Sequence, residues 1–457
     1  MNNKEKHGEV LTPAWFVNEM YDVLSNNIHN YIDVTKNVNI FEPGCGKGIF
    51  YEIFNERELF YKSHYRMNEI NNEHFNHLYN LIGGNKQWIS KDKNHKVEII
   101  EGDLFKININ NFEGEIDIVI GNLPFNSNGR KFIPSFSKSG EHIPKSRSNS
   151  LTLWTTMTHF CFEKLLNKNG LFFCIIPCIW LKPDRAGIYE LFTQIYTIQY
   201  LKIFDSYEAN KIFNYQCQTP ICYVLVQKKI NIHKALEYSR FNIYDNETKQ
   251  WTNFTLLENN CIPTNHIILF KKHVEYFTRW FNNNNNMGNH VKKISCMRKE
   301  MLDYKIKIYE KGGLEGDDAK LVVGNKTLKC YKIITGSIFD KKTNKLTLNG
   351  FTCENPGLYQ EYIKLILPHK RLAKFIKDSN YEYGLSGRDM FVFFCKTKEN
   401  LDKLYDFVNL PHIQKMIETG FCIRMNFIEK YVFSYFPWIL EEDFDMTHYM
   451  NYIIQDE

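Results

Sequence analysis

Four short strand-like strings, three of them largely apolar and each running into an abrupt polar or glycine-rich turn, constrain this chain most. Val38–Glu42 leads into "PGCGKG", residues 64–70 read "HYRMNEI", residues 97–105 read "VEIIEGDLF", and the run "IDIVI" at 116–120 stops at "GNLPFN". Two more apolar strings follow, "LFFCIIP" at 171–177 and "PICYVLVQK" at 220–228. Between them the spacing turns helical. Residues 12–26 predict a helix with Thr12 as N-cap, Pro13 at the first position, and an apolar stripe of Phe16, Met20 and Leu24. Further helices are expected from about Ile49 and over 151–168. Strands alternating with helices predict an α/β fold with a doubly wound, Rossmann-like parallel sheet. Ligands of such sheets bind beyond the carboxyl ends of the strands, and every unusual turn here lies at such an end.

At 457 residues the chain exceeds one ordinary core. A domain at 1–235 is expected to carry the sheet, 236–288 to connect, with an Asn-rich hinge in "FNNNNNMGN", and 289–457 to form a second, α+β domain. Charge is uneven between them. Residues 289–400 hold 22 Lys and Arg against 13 Asp and Glu, whereas the rest holds 35 against 39. A basic second half suits a polyanionic partner. The 12 cysteines form no CxxC pair and sit mostly in apolar strings, so they read as buried thiols and no metal site is expected. Neither a secretory leader nor an apolar run of membrane-spanning length is visible, which predicts a cytoplasmic location and no membrane partner. Residues 126–150 lack periodicity, and a loop that long is usually functional or disordered.

The turns carry the chemistry. In "EPGCGKG" the absent side chains of Gly44, Gly46 and Gly48 let backbone amides approach a ligand at the start of a helix, where negative charge is favoured. It is no P-loop, since Lys47 lacks a following Ser or Thr, and its third glycine departs from the dinucleotide fingerprint. Glu69 is the candidate acid for ribose hydroxyls, with a surface glutamate as the alternative. Asp103 at the third strand end could accept from an adenine amino group. At the fourth, Asn122 offers an amide and Phe125 a stacking ring, although Gly, Asn and Pro also end strands for no reason but the turn.

"TPAWFVNEM", "FEPGCGKG", "EGDLF" and "GNLPF", in that order and strand context, resemble motifs X, I, III and IV of S-adenosylmethionine-dependent amino-methyltransferases of DNA. With motif X first and a basic region last, the chain looks like the gamma class, the TaqI-like and type II restriction–modification methylases and their phage or giant-virus relatives. The resemblance covers roughly residues 7–230. It implies S-adenosylmethionine as cofactor, with no metal, and transfer of its methyl to the N6 of a flipped-out adenine in double-stranded DNA, an adenine-specific activity of the EC 2.1.1.72 type. Thr12 and Pro13 would border the methionine end of the cofactor. Glu42, Pro43 and the turn Gly44, Cys45, Gly46 and Gly48 would hold its amino and carboxylate groups. Glu69 would bind the ribose, and Asp103, with Leu104 and Phe105 beside it, would face the adenine. Asn122, Leu123 through its carbonyl, Pro124 and Phe125 would hold the target base.

In such an enzyme an amide oxygen and a backbone carbonyl accept both N–H bonds of a conjugated amine, turning its lone pair toward the sulfonium methyl. Phe213, or nearly as well Tyr215, would stack on the far side of the base. Arg130, Lys131, Lys370, Arg371 and Arg388 are candidate DNA contacts; as surface charges they would be equally ordinary. The family pattern has proline where this chain has Leu123, a loss that should cost rigidity while sparing the carbonyl. An RNA or protein-glutamine methyltransferase of the same fold is the alternative, as is a DNA-binding subunit without catalysis. A separate restriction endonuclease is an expected partner in one setting and none in an orphan or viral one, where the protein would act in the host cell or virion.

Overall fold

The computed structural model describes residues 10–57, 62–90, 94–125, 135–136, 142–143, 152–184, 186–229, 238–257, 260–280, 285–295, 312–313, 320–323, 326–329, 331–340, 343, 345–353, 357–368, 374–385, 388–421 and 428–454. The chain divides into two compact units, 1–267 and 268–457.

The first unit is built on ten strands: β1 (Val38–Pro43), β2 (Ser63–Glu69), β3 (Gln87–Ile89), β4 (His95–Glu101), β5 (Ile116–Asn122), β6 (Leu166–Pro177), β7 (Thr197–Phe204), β8 (Ile221–Gln227), β9 (Tyr238–Asp245) and β10 (Gln250–Leu257). Across the sheet they run β10-β9-β7-β8-β6-β5-β1-β2-β4-β3. Strands β4, β2, β1, β5 and β6 are mutually parallel, and β8 is antiparallel to both neighbours. This is the expected α/β, doubly wound Rossmann-like sheet. Its order reverses between β1 and β5, the place where such sheets open a crevice. In β5, Ile116, Ile118, Val119 and Ile120 are all fully buried, as a strand covered on both faces requires.

The helix α1 (Ala14–Asn27) buries the anticipated stripe of Phe16, Met20 and Leu24. Its N-cap is Pro13 rather than Thr12. The Thr12 hydroxyl is engaged elsewhere, by Asn122, so the helix starts one residue later. Helices α2 (Ile49–Glu56) and α3 (Asn72–Leu81) follow β1 and β2. The third strand ends at Glu101, earlier than 105, because Asp103 instead organises a turn whose carbonyl accepts from the Lys106 and Ile107 amides. The helix expected over 151–168 is α4 (Leu153–Phe160), continued by a wider turn only to Leu165. Leu166 already pairs with Ile116. The hairpin β9–β10 joins the sheet by parallel pairing of β9 with β7. Residues 238–257, expected in a connecting segment, are therefore sheet, and the unit extends to 267 instead of 235.

The second unit is α+β. One antiparallel sheet orders Val291–Ser295, Arg388–Phe394, Lys364–Pro368 and Ile376–Asp378. Within it Lys364 and Asp378 form a fully buried ion pair, and Asp378 also accepts from the Glu382 and Tyr383 amides. Those extra donors offset part of the cost of burying the charge. A second sheet contains Tyr331–Asp340 and Lys345–Cys353, and helices Lys398–Val408, Pro411–Thr419 and Met446–Ile454 complete the unit. Asn285 and Asn286, in the expected hinge, are tied to Trp438 and Pro437. No helix among the described residues is long and apolar enough to cross a membrane.

The turn from β1 into α2 depends on glycine. Gly48 has φ +86°, and a Cβ there would lie 2.7 Å from Leu78 Cδ2 on α3. Gly46 has φ +57° but nothing within 4 Å. Gly48→Ala is therefore expected to destabilise the protein by about 1–3 kcal/mol in denaturant unfolding. Gly46→Ala should cost clearly less, because only its backbone is strained.

Candidate active site

A cavity of ≈ 360 Å³ opens at the carboxyl ends of β1, β2 and β5. That volume falls within the range of small-molecule sites. Asn68 and Glu69, at the end of β2, hold its floor. The Asn68 carbonyl accepts from the Gly44 and Cys45 amides at 2.9 and 3.0 Å. Its side chain donates to the carbonyls of Ile100 and Gly102, both at 3.0 Å. Glu69 Oε1 accepts from the Ile70 and Asn71 amides at 2.8 and 2.7 Å, and Oε2 from the Gly46 amide at 2.8 Å. Burial pushes the Glu69 carboxyl above its ordinary range, with the three amide donors pulling against it.

Glu42, the last acid of β1, is buried beneath the same cavity. The Tyr65 hydroxyl donates to its Oε2 at 2.8 Å. Burial pushes its carboxyl up to about 8; the Tyr65 hydrogen bond lowers it, and the Glu69 charge raises it further. Two buried acids thus face one small cavity, with the half-buried Glu52 also in its lining. Among the described residues Glu42 has no salt bridge, although Lys47, His74 and His77 also line the cavity, and a ligand ammonium is a group that would fit beside it.

At the end of β5, Asn122 Nδ2 donates to the Val10 carbonyl at 3.2 Å and to Thr12 Oγ1 at 3.1 Å. A backbone carbonyl can only accept, so these contacts fix which way the amide faces. Asn122 Oδ1 is left buried and without a partner among the described residues. Such an atom calls for a donor, from water, a ligand or a group beyond the described residues. The turns after β1 and β5 abut, for a Cβ on Gly44 would sit 3.4 Å from Pro124 Cδ. Phe125 lines the cavity and packs partly on the core.

The structure brings Thr12, Glu42, Gly44, Cys45, Gly46, Glu69 and the four residues Asn122 to Phe125 to one cavity. Phe213 follows helix α5 (Ser206–Ile212), lies 2% exposed at the cavity wall, and meets Phe16 edge-on at 6.2 Å. Tyr215 is 77% exposed, with φ +65°. Pro13, Pro43, Gly48, Asp103, Leu104 and Phe105 are not among the lining residues. Asp103 Oδ1 accepts from the Phe105 amide at 3.1 Å, and the Phe105 ring packs edge-on against Phe160 at 5.5 Å. Arg130, Lys131, Lys370 and Arg371 lie outside the described residues, and Arg388 begins a strand without a described side chain. Sequence reasoning missed Val10, Asn71 and His74, which also line the cavity. Asn71, two positions after the acid and directly before a helical pattern, carried a readable N-cap signal.

Leu123 differs from expectation. Its side chain is fully buried, and its amide donates to the Ile175 carbonyl at 3.3 Å. Leu123→Pro would remove that hydrogen bond and part of the packing, so it should lower stability by about 1–3 kcal/mol in denaturant unfolding instead of rigidifying the turn for free.

Glu42 gives the ligand-free protein a definite pH dependence. Its carboxyl titrates near 8 when folded and about 4.3 when unfolded, so the folded state binds more protons between those values. Its contribution to stability is fully present below about pH 4.3 and is lost as pH rises toward 8. Thermal unfolding of the ligand-free protein should show a midpoint falling between about pH 5 and about pH 8. In Glu42→Gln that fall should be smaller, and the variant should be at least as stable as the parent at the upper end.

No protein-family model and no curated protein sequence matches the chain. Solved structures do. The methyltransferase subunit of a type I restriction–modification system from Streptococcus thermophilus is 15% identical over 53% of this chain and 50% of its own, with a TM-score of 0.35. The M protein of the type I restriction enzyme EcoKI is 11% identical over 52% of this chain and 48% of its own, at a TM-score of 0.32. The type IIL restriction–modification enzyme MmeI, solved in complex with DNA, is 10% identical over 86% of this chain and 61% of its own, at a TM-score of 0.36. The chain thus spans about half the length of the type I subunits it matches. Likeness at this level leaves the chemistry to be read from the site itself.

Proposed function

We propose that this chain is an S-adenosylmethionine-dependent methyltransferase that modifies the exocyclic N6 of an adenine flipped out of duplex DNA. The observation that carries the reading is the buried, unpartnered Asn122 Oδ1 at the mouth of a cavity that also holds a glycine turn and two buried acids. The residues present fit the cofactor. Glu42 would pair with its ammonium, the Gly44–Gly48 turn would take its carboxylate end, and Glu69 would meet its ribose. When bound, S-adenosylmethionine supplies an electrophilic methyl group on sulfur.

The chain's own residues do the rest by positioning. Asn122 Oδ1 accepts an N–H from the target amine, whose lone pair is otherwise delocalised into the ring. The Leu123 carbonyl accepts the second. Held by two acceptors, the nitrogen pyramidalises and its lone pair becomes available, so Asn122 acts as an electrostatic and orienting group without forming a covalent bond. Phe125 supplies a stacking face, worth about 1–3 kcal/mol for a base. Unstacking the adenine costs a few kcal/mol, which the two acceptors and the ring help offset. The basic run of residues 289–400 supports a nucleic-acid partner, with target recognition assigned to the second unit.

Incubation with tritiated S-adenosylmethionine and duplex DNA should place label on adenine, released as N6-methyladenine on digestion. Asn122→Ala should lower turnover by about 10²–10³-fold, with cofactor binding retained. Label on cytosine, on RNA or on a protein glutamine would move the substrate. No label on any of them, with DNA binding unchanged in Asn122→Ala, would replace the enzyme by a binding subunit.

A further inference from the structure

Asn71, which lines the same cavity, also carries a buried polar atom without a partner among the described residues. Asn71 is the N-cap of α3, where its side chain accepts from the Glu73 amide at 3.0 Å. Only oxygen can accept there, so the amide orientation is fixed by the cap. The other end of the amide, Nδ2, is buried without a partner among the described residues, and Asn71 as a whole is 8% exposed. Asn71 lines the cavity directly beside Glu69, to whose Oε1 its backbone amide donates at 2.7 Å.

Capping does not account for that nitrogen. Asp, Ser or Thr would cap the helix about as well, and none would bury an idle NH₂ group. An unfilled buried donor is a cost that a ligand acceptor would remove. The neighbouring acid defines which acceptor. A carboxylate offers about four lone-pair positions. Glu69 Oε1 already takes two amides and Oε2 takes one, so a single position remains open, on Oε2. A ribose presents two adjacent hydroxyls, and this carboxylate can receive only one of them. Each hydroxyl is also an acceptor.

We infer that Asn71 is a second ribose-binding residue: Glu69 Oε2 accepts from one hydroxyl of the vicinal diol, and Asn71 Nδ2 donates to the oxygen of the other. The ligand's identity rests on the methyltransferase reading above; the need for a diol-like partner, one group donating and its neighbour accepting, rests on the two side chains.

The test is a binding cycle by titration calorimetry. S-adenosylhomocysteine and its 2′-deoxy and 3′-deoxy analogues are titrated into the full-length protein and into Asn71→Ser, which keeps a cap and removes the long-reaching donor. S-adenosylhomocysteine should bind Asn71→Ser about 5- to 20-fold more weakly. The ligand-free variant should unfold at the same temperature as the parent or higher, since an idle donor has gone. One of the two deoxy analogues should bind the parent weakly yet lose less than about twofold relative to S-adenosylhomocysteine in Asn71→Ser. The other, lacking the hydroxyl that faces Glu69, should lose affinity equally in both proteins. Unchanged binding in Asn71→Ser, or equal losses for both analogues in both proteins, overturns the role of Asn71 and leaves the methyltransferase reading standing. If the parent protein binds no S-adenosylhomocysteine, the methyltransferase reading fails and this inference with it.

Discussion

The dipeptide Asn68–Glu69 at the end of β2 is the interaction on which the rest of the site depends. Its polar atoms reach three neighbours at once: the glycine turn after β1, the turn after β4 and the first amides leading into α3. Backbone amides at strand-to-helix turns have no ladder partner, and left buried they would each carry the cost of a lost hydrogen bond. One side-chain amide and one carboxylate absorb that cost for five backbone groups. The turns are thereby fixed relative to one another before any ligand arrives, and preorganisation of this kind lets a shallow, glycine-lined crevice bind with little further ordering.

The same arrangement sets a tension. The Glu69 charge penalises the ionisation of Glu42, and burial penalises both acids. Glu69 is compensated by three amide donors; Glu42 has the Tyr65 hydroxyl. A buried carboxylate that stays protonated near neutrality is a poor contributor to stability, and it becomes useful when a cation enters. Cys45, between the two acids, follows the same logic, its thiol held well above its ordinary range by burial first and by both carboxylates after that. The two buried acids would therefore suit a positively charged group on a ligand.

Much of this was legible in the sequence, for a physical reason. A parallel strand covered on both faces tends to be continuously apolar, so a polar residue at its carboxyl end stands out; Glu42 and Asn122 are such residues, whereas β2 reads Ser-His-Tyr-Arg-Met-Asn-Glu and gives Glu69 no apolar run to stand out from. What escaped is of another kind. The strand Thr197–Phe204 alternates too loosely to declare itself, with Gln199, Tyr200 and Lys202 half-buried along it, because pairing with the hairpin β9–β10 covers what would otherwise be an edge. That hairpin is held by long-range pairing, which local patterns do not report. Thr12 looked like a cap because Thr before Pro often is one; its hydroxyl is instead engaged 110 residues away. Asn71 had the opposite fate: its cap was readable, but the idle nitrogen on the same amide appears only once burial is known.

The N-terminal segment thus acquires a chemical reason to lie against the end of β5. An amide group is nearly symmetric in shape but opposite in polarity at its two ends, and a free Asn122 could present either. Val10 and Thr12 take both hydrogens of Nδ2. Reversing the amide would set its oxygen against the Val10 carbonyl, two acceptors facing one another in a buried place, and would leave the NH₂ pointing where an amine is to be received. Each loss would cost about as much as an unsatisfied buried hydrogen bond, roughly 1–3 kcal/mol, so the reversed state is populated at the level of a few per cent or below. Val10 and Thr12 therefore make the end of β5 an acceptor, which is the character that the amine of the proposed substrate would require.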